Sequence, residues 1–312
     1  MKVWLPAMAA AGVVLSTMGV ARAEDATVYS GNGLDISASA GVMFGMAHEM
    51  VYNPDGSKLS ELDWASRGDP TMNLGAEWRV NQRLSVYANG TIGLNGANFN
   101  DDFDWLSGPP PTPFSDHSWS SDTTLDHYLE LDGGLRYVFQ KGESGQFSAL
   151  VGGRYTDVQF SEFGGCYWYN NGGDVGCFPN GELGLSYRQV LPAAYIGVGW
   201  SQQGEKWSAG LDVMGGVSFG MWDQDHHWLR DLIFNDFGNS APFIGAKANV
   251  AYALNERSNL FLKASYEKYF EGQGQTDMYA ISDGSYQGSI YGNAAGLSWE
   301  AINISAGMTV KF

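Results

Sequence analysis

Two-residue alternation constrains this chain more than any other feature of its sequence. Successive side chains of a β-strand point to opposite faces, so a period of two marks strands with one apolar and one polar face. At the C-terminus Ile302, Ile304, Ala306, Met308, Val310 and Phe312 are apolar, while Asn303, Ser305, Gly307, Thr309 and Lys311 between them are polar or small. Ile36, Ala38, Ala40, Val42, Phe44 and Met46 repeat the pattern near the start, and Met43 is the one break in it. Leu84 to Leu94, Leu125 to Phe139 and Trp207 to Phe219 give three further sets.

Such strands fit a half-buried soluble sandwich as well as a barrel whose outer face meets lipid. Connection lengths favour the barrel. Short polar turns near 81–82, 142–145, 203–205 and 255–257 alternate with long connections near 53–60, 97–124, 161–182, 222–240 and 271–297. Outer-membrane barrels have this arrangement of short periplasmic turns and long outer loops. The predicted class is all-β: a single transmembrane antiparallel β-barrel of about ten strands with five long extracellular loops. The aromatic Phe312 that closes the last strand resembles the end of bacterial outer-membrane barrels.

Residues 1–23 read as a secretory signal peptide, with Lys2 as its basic start, Ala7 to Val20 as its apolar stretch and Ala21-Arg22-Ala23 as its cleavage site. Residues 24–312 then form the barrel domain, with no sign of a second domain. The 17 basic and 34 acidic residues give the full chain a charge of −17. Cleavage removes Lys2 and Arg22 and no acid, leaving 15 basic against 34 acidic groups and a charge of −19. Nucleic acid is excluded as a partner, and cationic peptides or proteins are attracted. Cys166 and Cys177 fall in the third long connection, where an oxidising compartment favours a disulfide that clamps the loop locally. Their spacing fits no metal motif.

Two clusters carry chemistry. In Asp223-Gln224-Asp225-His226-His227 an extended backbone puts Asp223, Asp225 and His227 on one face. An Asp beside a His can orient the ring and stabilise its protonated form, as a general base requires. In Asp101-Asp102-Phe103-Asp104-Trp105 carboxylates two apart can converge on one water or proton. Taken alone, the first cluster also fits a solvated acidic loop, and the second a calcium loop or plain surface charge.

The chain resembles the omptins, a family of ten-stranded outer-membrane endopeptidases. Ser60-Glu61-Leu62-Asp63-Trp64, Asp102-x-Asp104-Trp105, Gly164-Gly165-x-Tyr167, Phe178-Pro179-Asn180-Gly181-Glu182, Tyr195-Ile196-Gly197 and Asp223-x-Asp225-x-His227 carry the likeness in order along the chain. The resemblance implies catalysis by Asp102 and Asp104 facing Asp225 and His227 across the extracellular mouth. Water would be the nucleophile and no covalent intermediate would form. His226 is a bystander. The family's acidic pocket for basic residues maps onto Glu49 and Asp223, and a further acidic position, serving the residue after the cut, onto Asp116. Glu49 also continues the lumen-facing phase of the first strand. The resemblance implies no metal and no cofactor other than lipopolysaccharide, which omptins need for activity.

Three features depart from that pattern or strain it. A His-Pro expected after Asp116 is absent from Asp116-His117-Ser118-Trp119-Ser120. The basic position linked to lipopolysaccharide falls on Asp157, leaving Arg154 or Arg188 as possible substitutes. Finally, the alternation from Trp207 to Phe219 makes odd positions lipid-facing and carries on to Asp223, Asp225 and His227. Charged groups cannot face hydrocarbon, so either a bulge or bend near Gly220 to Trp222 resets the phase or this part stands above the membrane. A diffusion pore and a catalytically inactive omptin-like adhesin or binding barrel are the competing functions, and a barrel of about ten strands is narrow enough to be filled by its own side chains.

Overall fold

A computed structural model of the protein describes residues 33–110, 112–142 and 145–312. The leader expected at residues 1–23 lies outside them. One antiparallel sheet contains β1 (Gly33–Tyr52), β2 (Lys58–Arg79), β3 (Leu84–Gly93), β4 (Asn98–Asp104), β5 (Asp116–Gly142), β6 (Gly145–Phe163), β7 (Cys166–Tyr169) and β8 (Asp174–Cys177). It continues through β9 (Leu183–Gln203), β10 (Trp207–Ser218), β11 (Met221–His227), β12 (Leu232–Gly238), β13 (Ala241–Ala253), β14 (Ser258–Ala280) and β15 (Tyr286–Lys311).

Three neighbouring pairs are single staves with an interruption. β3 and β4 both pair with β2 and β5, β10 and β11 both pair with β9, and β12 and β13 both pair with β14. With the β7–β8 hairpin set aside, ten staves remain among the described residues. They run β1, β2, β3/β4, β5, β6, β9, β10/β11, β13/β12, β14 and β15, and β15 pairs back onto β1 from Asp35↔Lys311 to Val51↔Ala295. Closure leaves no sheet edge to satisfy in lipid.

The alternating sets take the faces their pattern requires. Leu74, Ile196 and Leu262 are 67%, 70% and 63% exposed and form part of the lipid-facing band, with Ile36, Val42, Leu211, Ile304 and Met308. Met43 points into the lumen and is fully buried, so the break in the first strand's pattern is a core residue. Leu125 departs from its set: it is 3% exposed, because β5 shifts register against β6 between Leu125 and His127. That bulge turns the strand over by one residue.

The five outer connections are present, but strands fill much of them. The stretch 97–124 holds β4 and the start of β5, 222–240 holds β11 and β12, and 271–297 holds the end of β14 and the start of β15. Above the bilayer neither face needs to be apolar, so the alternation fades while the backbone ladder continues. The third connection carries the β7–β8 hairpin, in which Cys166 and Cys177 stand opposite each other and are joined as a disulfide.

Side chains fill the lumen. Trp64 stacks between Tyr187 and Phe160, with ring centroids 5.7 and 5.9 Å away, and Tyr128, Tyr269 and Trp299 are equally buried. A charged network lies within the same lumen. Arg154, 3% exposed, donates to Glu267 at 3.0 Å and lies 3.8 Å from both Glu130 and Asp132, while Lys247 pairs with Asp132. A lumen occupied in this way does not support the diffusion-pore reading.

The phase conflict at the end of β10 is resolved in both of the expected ways. Ser218 pairs with Ala193 and Trp222 with Val190, so three residues of one stave oppose two of β9. The extra residue falls at Gly220, whose φ of +60° favours glycine. Phe219 is therefore 48% exposed, whereas Met221, Asp223 and Asp225 are at most 1% exposed. At this level the outer surface carries the ion pairs His48–Asp63, His117–Asp101 and Lys268–Glu300, which belong above hydrocarbon.

Candidate active site

Two inner-face rows of paired residues build the mouth. One runs Glu49 on β1, Leu62 on β2, Asp102 on β4 and Ser118 on β5. The other runs Glu162 on β6, Leu185 on β9 and His227 on β11. Asp104 lies two residues beyond Asp102, and Asp225 two residues before His227, each on the same face as its neighbour. The period-two spacing that makes a strand amphipathic thus also aims both carboxylates of one stave, and the carboxylate and imidazole of the other, into one cleft.

The cleft has a volume of about 380 Å³, and Asp102, Asp104, Glu162 and His227 all line it. Asp225 is fully buried behind His227, with Oδ2 2.5 Å from His227 Nε2 as an ion-pair contact and neither oxygen in a hydrogen bond among the described residues. Arg230, in the short turn Trp228–Arg230, brings Nη1 to 3.3 Å from His227 Nδ1. A guanidinium can only donate, so Nδ1 is the acceptor of that contact and the ring proton belongs on Nε2.

Burial, followed by the charges of Asp104, Glu162 and Asp225, holds the Asp102 carboxyl well above its usual range. Asp104 is also raised by burial, with the Ser60 hydroxyl, Arg230 and His227 opposing the shift. Ser60 stands opposite Asp104 in the β2–β4 register and lies 3.5 Å from Asp102 Oδ1. A carboxyl that keeps its proton beside one that gives it up can both donate to and accept from a single water.

Glu49 and Asp223 lie on the inner face beneath the Asp225 level and are 3% and 0% exposed. Tyr187 donates to Asp223 at 3.0 Å, and Gln189 holds Tyr187 at 2.5 Å. Asp236, opposite Asp223 in the β11–β12 register, makes a third acid there. Burial raises all three carboxyls, and the Asp225 charge adds to each; Asp236 reaches about 7 although hydrogen bonds from Thr276 and with Asp223 oppose the shift. One oxygen of each has no hydrogen-bond partner among the described residues.

Asp116 lines the cleft, but both of its oxygens are engaged. Oδ2 accepts from Ser115 Oγ at 2.5 Å and Oδ1 from the Asn170 N–H at 2.9 Å, which ties the β7–β8 hairpin to β5. His226 points the other way and stacks on Trp228 at 5.1 Å. Arg154 is enclosed in the lumen. Arg188 is outward, donating to both oxygens of Asp157 at 2.9 and 2.6 Å, with His127 on the same carboxylate at 2.8 Å.

Sequence reasoning missed Ser60, Glu162, Tyr187, Asp236 and Arg230. The chain offers one signal for Glu162: in Val158-x-Phe160-x-Glu162 it continues an inward apolar phase, as Glu49 does on β1. Asp236 has no such signal, because its neighbours come from a hairpin that the sequence reads as loop.

A closed ten-stave barrel with a lipid-facing band below and a carboxylate-rich cleft above defines an outer-membrane β-barrel protein with its site at the loop end. The family model for the omptin family matches residues 30–312, and the chain belongs to that family. Among similar proteins, the "Plasminogen activator" of Yersinia pestis is 29% identical, with 89% of each chain covered. "Outer membrane protease OmpP" of Escherichia coli (strain K12) is 25% identical over 99% of this chain and 98% of its own. The crystal structure of the outer membrane protease OmpT from Escherichia coli superposes with a TM-score of 0.82 at 21% identity, covering 90% of this chain and 97% of that one.

Proposed function

We propose that this protein is an outer-membrane endopeptidase that cleaves peptide bonds next to basic residues with an activated water. The observation that carries the reading is the 2.5 Å contact between His227 Nε2 and a fully buried Asp225, with His227 lining one cleft together with Asp102 and Asp104. His227 Nδ1 is the nitrogen left to take a proton once Arg230 moves aside. Asp225 then faces an imidazolium, whose charge its own carboxylate offsets. The deprotonated water attacks the scissile carbonyl between the two sides of the cleft. Asp102, with its proton retained by burial, donates to the water or to the oxygen on which charge develops, and Asp104 shares that hydrogen bond. The bond to the leaving amine breaks as the proton held on His227 passes to it.

Glu49, Asp223 and Asp236 form a buried acidic cluster with no cationic side chain paired to it among the described residues. A lysine or arginine before the cut bond would enter it and pair with carboxylates already removed from water. The names of the relatives OmpP and IcsP, both outer membrane proteases, support the protease part of this reading. Lipopolysaccharide, if it binds, meets an outer face at Arg188 whose guanidinium is already held by Asp157, so the lipid has less to order here.

The test uses folded protein in detergent, supplemented with lipopolysaccharide, acting on a quenched peptide that contains an Arg-Arg pair. Cleavage by this protein and none by Asp225→Ala is the expected result. No cleavage of any basic peptide by a barrel shown spectroscopically to be folded would leave an inactive binding barrel as the reading.

A further inference from the structure

Glu162 is a cleft carboxyl with no role in the chemistry above. It is 4% exposed, it lines the cleft, and its Oε2 has no hydrogen-bond partner among the described residues. Its Oε1 occupies room that two glycines leave open: a Cβ added at Gly165 would come within 3.2 Å of it, and one at Gly184 within 3.9 Å. In the row Glu162, Leu185, His227 it stands two staves from the imidazole, just as Glu49 stands two staves from Asp102 in the row Glu49, Leu62, Asp102. Around the ring, β6 lies on the arc from β4 to β11 that passes through β5 and β9, whereas β1 lies on the other arc. Glu49 and Glu162 therefore flank the line from Asp102 to His227 on opposite sides. A peptide crossing that line with its first basic residue at Glu49 lays its next residue towards Glu162.

We propose that Glu162 is a specificity-determining carboxylate for a lysine or arginine immediately after the cut bond, the cleft acid with an unpartnered oxygen where both oxygens of Asp116 already accept a hydrogen bond. This rests on the protease reading above. The wall beside it suits a long aliphatic stem with a cationic tip, since Tyr169, Phe178 and Leu185 line the same cleft. Burial and the Asp225 charge push the Glu162 carboxyl up to about 7, so an unfilled subsite holds its proton more tightly than a free carboxyl and gives it up when a cation arrives. The charged groups sharing this cleft are Asp102 and Asp104 on β4, Asp116 on β5, His227 on β11 and Arg230 in the turn after it, with Asp225 beneath. Arg230 contacts His227 in this structure, and no ion pair joins it to Glu162 among the described residues.

The experiment compares kcat/KM for two quenched peptides, one with Arg-Arg and one with Arg-Ala at the cleavage site, for this protein and for Glu162→Gln. The protein as it stands should favour Arg-Arg, and the variant should lower that preference by about tenfold or more, the scale of a truncated buried charge pair. A preference unchanged in the variant overturns the proposal, as does loss of both cleavages, which would place Glu162 in bond breaking itself. Should the variant fail to fold, the same ratio is read on the unaltered protein across pH 5.5 to 8.5. It should rise through about pH 7, and a flat ratio overturns the proposal. Failure of the unaltered protein to cut either peptide removes the protease reading, whereas an unchanged ratio with active enzyme removes only this inference.

Discussion

The lumen of this barrel buries carboxylates in two places and treats them in opposite ways. In the lower network Arg154 and Lys247 face Glu130, Asp132 and Glu267, and Trp299 and Tyr195 add hydrogen bonds to the acids. In the mouth, among the described residues, Glu49, Asp102, Asp104, Glu162, Asp223, Asp225 and Asp236 have only His227 and Arg230 as cationic company. Buried charge that is paired and hydrogen-bonded serves the fold, and removing one partner is what hurts it. Buried charge left unbalanced destabilises the barrel and holds protons at raised affinity, which a folded chain tolerates where catalysis or a cationic ligand uses it. Two regions of one closed sheet thus differ in a single respect, whether cations accompany the acids.

Removing the imidazole separates the mouth from the lower network by the largest effect. His227→Ala should lower kcat/KM on an Arg-Arg peptide by about 10²–10⁴-fold, the usual contribution of a general base, and leave the unfolding midpoint in denaturant within the error of the unaltered protein. A matching loss of stability would show that the mouth, like the lower network, serves the fold.

Arg154→Met supplies the converse. It leaves the buried Glu267 without its cation, while Asp132 keeps Lys247, and should cost about 3–5 kcal/mol in reversible unfolding from detergent, far more than any single carboxylate-to-amide change in the mouth. A cost under about 1 kcal/mol would mean that the lower network is wet or dispensable.

The unbalanced mouth also sets a pH dependence. Asp236 and Glu162 have carboxyls raised to about 7 in the folded protein, against 3.8 and 4.5 for the free groups. Between those limits the folded state binds more protons than the unfolded one, so their contribution to stability is complete below about pH 4 and lost as pH rises through 7. The barrel should therefore unfold at lower denaturant at pH 8 than at pH 5, and Asp236→Asn should flatten part of that slope. A stability profile that rises from pH 5 to pH 8 would contradict the assignment.

The smallest effect concerns lipopolysaccharide. Because Asp157 already fixes Arg188, withholding the lipid should reduce cleavage without abolishing it, and Asp157→Ala should make activity more dependent on added lipid. Equal dependence in the two proteins would show that the Asp157–Arg188 pair does not stand in for the lipid.

Much of this was legible along the chain because lipid enforces it. Each stave must present apolar groups outward, and that requirement writes the barrel, its approximate strand number and the inward phase of Glu49 into the order of residues. Local spacing likewise places Asp102 with Asp104 and Asp225 with His227. Two things escape such a reading. Leu125 and the odd positions after Phe219 change faces at bulges, where one extra residue reverses a whole strand and only the partner strand reveals it. The rows that join Glu49 to Asp102 and Glu162 to His227 combine residues 53 and 65 positions apart. The sequence alone determined a closed, lipid-facing wall, because burial of a face is a local demand with a fixed period. Which acids meet, and which of them lack a cation, was decided only when the ring closed, because electrostatic environment depends on distance across the lumen and not along the chain.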